Sequence, residues 1–305
     1  MSIVSKTLTI PPRLKVGDTI GIVAPAGPFD LDKFDLGVQI LKKKGFEVFI
    51  PERLFETKGY LAGPDLHRAT LVNQLFADAS INAIMCARGG YGSMRLLPLL
   101  DYDIIENNPK VFLGFSDVSA ILSVLLSRCG LVSFHGPMVA TLADIPEKTL
   151  QSLLNAISSD DSLEIKLSNG VTVKSGSVSG AICGGNLTTL CHLIGTPFEP
   201  SFKNKIVFLE DQGEAPYRVD RMLAHMKLAG CFEGVSGLIL GSFKACGSMH
   251  DICDIVADIF DDCQIPVLAG LDAGHGANNL TIPLGIEAAL NADRHLLTYQ
   301  QPATT

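Results

Sequence analysis

No tryptophan occurs among these 305 residues and only five tyrosines do, so an aromatic platform for stacking nucleobases is poorly supplied. Positive charge is scarce as well. The formal net charge is −8, and the longest basic run is Lys42-Lys43-Lys44, which reads as a solvated helix end. Nucleic-acid surfaces draw their affinity from many basic contacts to phosphate, and this composition excludes such a partner. Long apolar runs are absent too. Stretches such as Ala120 to Leu126 fall far short of the roughly 20 residues that cross a bilayer. The opening Met1-Ser2-Ile3-Val4-Ser5-Lys6 carries no signal-peptide core, so a cytoplasmic protein without a membrane partner is expected. Eight cysteines are present but no C-x-x-C pair, which suits reduced, buried thiols rather than a disulfide framework.

What is present is an alternation of short apolar strands with helix-period segments. Thr19 to Ala24, Glu47 to Ile50, Asn82 to Ala87, Val111 to Phe115 and Leu131 to Phe134 read as strands, with helices over Leu31 to Lys44, Asp65 to Ala77 and Val118 to Leu126. That pattern implies βαβ units and a mostly parallel sheet. From Ser158 to Ser175 it becomes polar and β-alternating. We therefore expect an N-terminal α/β domain over 1–157, a linker with the first strands of a second domain over 158–175, and a C-terminal α/β domain over 176–305. In the latter, strands are expected over Gly180 to Cys183, Lys205 to Leu209, Gly237 to Leu240 and Val267 to Leu271, with helices over Leu187 to Ile194, Arg218 to Leu228 and Asp251 to Phe260. Ile286 to Tyr299 reads as strand.

Three polar residues stand where strands meet loops. Ser116 follows Val111-Phe112-Leu113-Gly114-Phe115 and precedes a helix, the context in which an α/β enzyme exposes a nucleophile. The competing role for Ser116 or Asp117 is to cap that helix. Glu210 follows Ile206-Val207-Phe208-Leu209, and His275 lies between Gly274 and Gly276. Together they have the chemistry of an acyl-transfer triad: His275 takes the Ser116 proton and Glu210 orients and stabilises the imidazolium. A solvated loop carboxylate and a turn histidine are the simpler roles for the last two. Arg88-Gly89-Gly90-Tyr91-Gly92-Ser93 follows another strand, and its glycines let amides converge on an anion. The amides of Gly89 or Gly90, with that of Asp117, are candidate oxyanion donors, typically worth roughly 3 kcal/mol each. The same loop lacks the G-K-[ST] and G-x-G-x-x-G spacings of phosphate loops. Cys246, His250 and Cys253 have zinc-like ligand types without a fourth ligand at motif spacing. Cys183 is a conceivable thiol nucleophile that close strand packing explains equally well.

Several motifs occur in order: Gly17-Asp18-Thr19-Ile20-Gly21-Ile22-Val23-Ala24-Pro25-Ala26-Gly27-Pro28, Ala87-Arg88-Gly89-Gly90-Tyr91-Gly92, Gly114-Phe115-Ser116-Asp117, His135-Gly136-Pro137-Met138, Gly184-Gly185-Asn186-Leu187 and Leu209-Glu210-Asp211. Tyr217-Arg218-Val219-Asp220-Arg221 and Gly274-His275-Gly276 follow. Over about Lys15 to Leu284 the chain thus resembles the LD-carboxypeptidase family of serine peptidases, the murein tetrapeptide carboxypeptidases.

The resemblance implies a Ser-Glu-His triad of Ser116, Glu210 and His275, with Glu214 as the rival acid. It implies a Rossmann-like, flavodoxin- or amidotransferase-like N-terminal domain, a C-terminal α/β domain with its own smaller sheet, a site between them and a homodimer. No metal or cofactor is implied. The reaction implied is hydrolysis of the bond from the L-centre of a diamino acid to terminal D-alanine in a cytoplasmic muropeptide, during cell-wall recycling. Such a substrate ends in a carboxylate, for which the guanidinium groups of Arg88, Arg218 and Arg221 are the available cations, and Arg88, Tyr91 and Arg218 are the candidate substrate-binding residues. The family also contains immunity enzymes that cut an acyl-adenylate antibiotic. A two-domain binding protein without catalysis is the rival from another class.

Overall fold

The computed structural model describes residues 6–305, so the start read at Met1 to Ser5 lies outside the described residues. Five apolar segments of the first half become parallel strands: β1 (Thr19–Val23), β2 (Glu47–Phe49), β3 (Ala83–Cys86), β4 (Val111–Gly114) and β5 (Ser133–His135). Every residue of β3 and β4 is buried, as in a parallel sheet covered on both faces. The covering helices are α1 (Leu31–Lys43), α2 (Asp65–Ala77), α3 (Tyr102–Asn107), α4 (Ser119–Cys129) and α5 (Glu147–Ser158). Local chemistry sets their ends. Asp30 caps α1 by accepting the Lys33 amide at 2.9 Å, and Asp101 caps α3 by accepting that of Ile104 at 3.0 Å. The strand order β2-β1-β3-β4-β5 is flavodoxin-like, an arrangement that binds ligands beyond the carboxyl ends of its strands.

A second sheet follows α5. It is built from β6 (Glu164–Lys166), β7 (Val171–Lys174), β8 (Ser177–Asn186), β9 (Lys205–Gln212), β10 (Gly237–Lys244), β11 (Val267–Ala269), β13 (Glu287–Asn291) and β14 (Leu296–Tyr299). Its helices are α6 (Leu187–Cys191), α7 (Pro216–Leu228) and α8 (Met249–Ile259). Strands β8, β9, β10 and β11 run parallel at the centre, and the others add antiparallel edges. The α/β class and two-sheet architecture are as expected, but the second sheet is not the smaller one. It has eight strands against six. The edge strands are half exposed and polar, so they lack the continuous apolar signal of the central ones.

Between them β12 (Ile282–Leu284), fully buried, returns to the first sheet and pairs antiparallel with β5. We propose Ser158 as the division between the domains, because the strands on either side of it join different sheets, β12 excepted. Two strands outrun their expected bounds: β8 continues past Cys183 to Asn186, and β9 continues past Leu209 to Gln212. Helix α6 is shorter than expected, stopping at Cys191. Among the described residues no helix is long and apolar enough to cross a membrane.

Candidate active site

Strand β4 delivers its chain through extended Phe115 to Ser116, whose φ of 63° lies in the left-handed region. A side chain there costs about 1–2 kcal/mol, and such strain persists only where the surroundings enforce it. Ser116 opens a short 3₁₀ turn, Ser116–Val118, that runs into α4. Neither polar residue caps the helix: the positions before the turn and before α4 are Phe115 and Val118, without side-chain capping bonds. The Asp117 carboxylate instead accepts the Ser93 amide at 2.7 Å, tying the turn to the glycine loop after β3. Burial pushes the Asp117 carboxyl up, against those amide bonds.

Ser116 Oγ lies 3.1 Å from His275 Nε2, and His275 Nδ1 lies 2.6 Å from Glu210 Oε2. The network assigns the tautomer: Nδ1–H donates to the carboxylate, leaving Nε2 to accept from the serine. The approach depends on Gly274, with φ +103°, where a Cβ would sit 2.4 Å from Glu210 Oε2. The His275 amide reaches the same oxygen at 3.2 Å. Glu210 is not at the end of β9 but inside it, fully buried. It faces the register shift of β10 between Leu240 and Phe243, and a bulge of this kind re-aims side chains on a paired strand.

The other carboxylate oxygen is also occupied. Asn186 Nδ2 donates to Oε1 at 3.2 Å, and His135 Nε2 stands 3.8 Å away, too far for a hydrogen bond. Burial alone would disfavour the Glu210 anion, yet His135 and His275 outweigh it and hold the carboxyl at about 2. The neighbouring Asp211 turns to Asn186, Thr188 and its own strand end, and burial pushes its carboxyl up. Glu214 does not touch His275, although it lines the same cleft.

That cleft encloses about 590 Å³ between the two sheets. Gly89 lies against the serine: a Cβ there would come within 2.9 Å of Ser116 Cβ and 3.1 Å of Oγ. The amides of Gly89, Gly90 and Asp117 have no acceptor among the described residues. Arg88 lines the cleft while its guanidinium donates to the Pro28 carbonyl at 2.7 Å. Tyr91, half exposed, lines it too, its ring 5.7 Å from that of Tyr60. Arg218 does not line this cleft; it lies in an adjoining hollow, 3.5 Å from Glu214.

Other candidates separate. Cys183 is buried, and burial pushes its thiol up to about 12, the reverse of an activated nucleophile. Cys246 and Cys253 are buried whereas His250 is exposed beside Asp254, so the structure does not bring these three together. Sequence reasoning assigned no role to His135 or Asn186, although both stand in the motifs quoted above. Buried Arg68 on α2 gave no signal at all; it donates to the carbonyls of Gly63, Pro25 and Gly92 and so anchors the glycine loop.

Known proteins match this architecture along nearly its whole length. Residues 20–136 match the LD-carboxypeptidase N-terminal domain and residues 179–290 the LD-carboxypeptidase C-terminal domain. The murein tetrapeptide carboxypeptidase of Pseudomonas aeruginosa is 30% identical, covering 90% of this chain and 94% of its own. The microcin C7 self-immunity protein MccF of Escherichia coli is 32% identical over 92% of each chain. A ligand-free structure of a protein of that name superposes with a TM-score of 0.90 at 30% identity, covering 97% of this chain and 100% of the other. The crystal structure of a muramoyltetrapeptide carboxypeptidase from Oxalobacter formigenes superposes at 0.81 and 30% identity, covering 92% and 97%.

Proposed function

We propose, from the premise that this chain belongs to the LD-carboxypeptidase family, that it is a serine peptidase releasing terminal D-alanine from murein tetrapeptides. One observation carries the reading. Ser116, His275 and Glu210 form a continuous relay, at 3.1 and 2.6 Å, inside a cleft large enough for a peptide end.

In this reading His275 Nε2 takes the Ser116 proton as Oγ attacks the carbonyl between the diamino acid and D-alanine. Glu210 stays ionised and stabilises the imidazolium. The amides of Gly89 or Gly90 and of Asp117 receive the oxyanion, and their lack of other acceptors leaves them free to do so. His275 then protonates the departing D-alanine amine, and a water activated by the same imidazole hydrolyses the acyl-enzyme. Arg88 and Tyr91 are positioned to meet the substrate. We further infer action as a homodimer in the cytoplasm, in peptidoglycan recycling.

A second reading has its own support, since the MccF structure superposes more closely than the carboxypeptidase does. An acyl-sulfamoyl or acyl-adenylate nucleotide is the substrate class that reading suggests. Against it stands the missing tryptophan: a structure of MccF with adenosine monophosphate is of a variant in which a tryptophan is replaced by phenylalanine, so that relative has a tryptophan where this chain has none to offer.

The deciding experiment is mass-spectrometric detection of D-alanine released from purified murein tetrapeptide by the native protein and by Ser116→Ala. Release that disappears in the variant is expected. A folded native protein that releases nothing overturns the tetrapeptide reading, and cleavage of an aspartyl adenylate analogue instead would establish the second.

A further inference from the structure

The two ends of the Ser116–His275–Glu210 relay come from different sheets, the serine from the turn after β4 and the carboxylate from within β9. His135 reaches across that join. It ends β5 in register with Gly114 of β4, two residues before Ser116, and the next amide, of Gly136, donates to the Gly114 carbonyl at 3.1 Å. Its ring leaves the first sheet and meets Glu210 of the second, with Nε2 3.8 Å from Oε1. The sheets approach closely here: a Cβ on Gly185 of β8 would lie 2.5 Å from Ser119 Oγ and 3.6 Å from His135 Cδ2. Other walls are aromatic. Phe208 stands edge-on with 4.9 Å between ring centroids, and Phe115, 5.8 Å from His135, also lies 5.0 Å from the His275 ring. His135 is wholly buried, and neither ring nitrogen has a hydrogen-bond partner among the described residues. Unpaired polar atoms are costly in such a place, so an apolar side chain of similar volume would be the more stable occupant. An imidazole there points to work done on the carboxylate it faces.

We propose that His135 is a positioning residue for the reaction: its ring carries a proton on Nε2 and donates it to Glu210 Oε1, registering the acid of the second domain against the nucleophile of the first. A ring protonated on Nδ1 alone would instead aim a lone pair at the carboxylate, which repels it. Asn186 Nδ2 holds the same oxygen from the second sheet at 3.2 Å, so the two donors fix the carboxylate plane and leave Oε2 to His275 Nδ1. Hydrogen bonds of catalytic sites are often long until substrate is bound, and an approach of about 1 Å brings the His135 contact to ordinary length. The inference rests on the serine-peptidase reading above and deepens it, adding a side chain through which the geometry of the triad is set.

Two measurements test it. In the native protein labelled with ¹⁵N-histidine, long-range ¹H–¹⁵N correlations read the tautomer of each ring, and His135→Gln identifies the His135 signals by their loss. A proton on Nε2 of His135 is expected; a His135 ring protonated on Nδ1 alone overturns the proposal. D-alanine release from murein tetrapeptide is then followed for His135→Leu, which removes the donor, and for His135→Gln, which returns an amide N–H near the place of Nε2. His135→Leu should lose about tenfold to 100-fold in kcat with KM within about threefold of native, while its thermal midpoint is no lower than native. His135→Gln should recover to within about fivefold of native kcat. His135→Leu keeping more than about a third of native kcat would make His135 a filler of space and overturn the proposal, as would His135→Gln being as slow as His135→Leu. A midpoint lowered along with kcat in both His135→Leu and His135→Met would make the loss structural and overturn it too. If the native protein releases no D-alanine, yet its His135 carries the Nε2 proton and the His275 Nδ1–H resonance moves upfield in His135→Leu, the peptidase reading fails and the positioning role stands.

Discussion

The backbone at residue 274 offers a sharp test of how closely the Glu210–His275 pair is held. Replacing Gly274 by alanine places a Cβ 2.4 Å from Glu210 Oε2 and 2.8 Å from its Cβ and Cγ, in a backbone with φ +103°. An ordinary contact of roughly 3.5 Å requires the carboxylate or the loop to retreat by about 1 Å. The 2.6 Å bond to His275 Nδ1 would then stretch past hydrogen-bond reach. A displacement of this size at a reacting constellation costs about 100-fold, and complete loss of imidazole orientation up to about 10⁴-fold. The backbone strain adds about 1–3 kcal/mol of destabilisation. D-alanine release measured over a range of tetrapeptide concentrations should therefore show kcat lowered by two to four powers of ten with KM little changed. Gly276→Ala is the control. Its Cβ would approach the Ser242 hydroxyl at 3.0 Å, outside the left-handed region, so a loss below tenfold is expected. Gly274→Ala retaining more than a third of native kcat would refute the argument that close backbone approach orients the pair.

Two further outcomes follow from the same geometry. Glu210 is held at about 2 in the folded protein against an ordinary 4.5, so its contribution is fully present above 4.5 and is lost as pH falls toward 2; the difference corresponds to roughly 3 kcal/mol. Urea midpoints of the native protein should fall more steeply across that window than those of Glu210→Gln, and parallel curves would contradict it; Asp117 and Asp211, pushed up by burial, work in the opposite sense in both proteins. Because Ser116 carries a side chain at φ 63°, Ser116→Gly should be inactive yet about 1 kcal/mol more stable than Ser116→Ala in equilibrium unfolding. Equal stability of the two would mean that the turn is not strained.

Much of the frame was legible along the chain because burial leaves periodic traces. Strands β3 and β4 are buried on both faces and show as continuous apolar runs, and the helix-period stretch after Ser116 becomes α4. The half-exposed edges β6, β7 and β14 carry polar alternation instead of an apolar run, and with them the second sheet reaches eight strands, larger than the family resemblance implies. Strand β12 is three residues long and joins a sheet whose other strands ended well over a hundred residues earlier; no local pattern announces such a partner.

What the amino-acid sequence determined by itself was the set of local devices: a serine at a strand-to-helix turn, glycines around His275, a glycine loop after β3 and the alternation that makes two α/β layers. The tertiary structure alone decided which of them meet. Glu210 and Glu214 have the same chemistry four residues apart, and only the register of β9 against the bulged β10 turns Glu210 toward His275. His135 likewise acquires its place beside Glu210 from the packing of one sheet against the other. The reason is physical: hydrophobic period and turn propensity depend on neighbours in the chain, whereas a contact between Ser116 and His275 depends on how two separately formed surfaces close on each other.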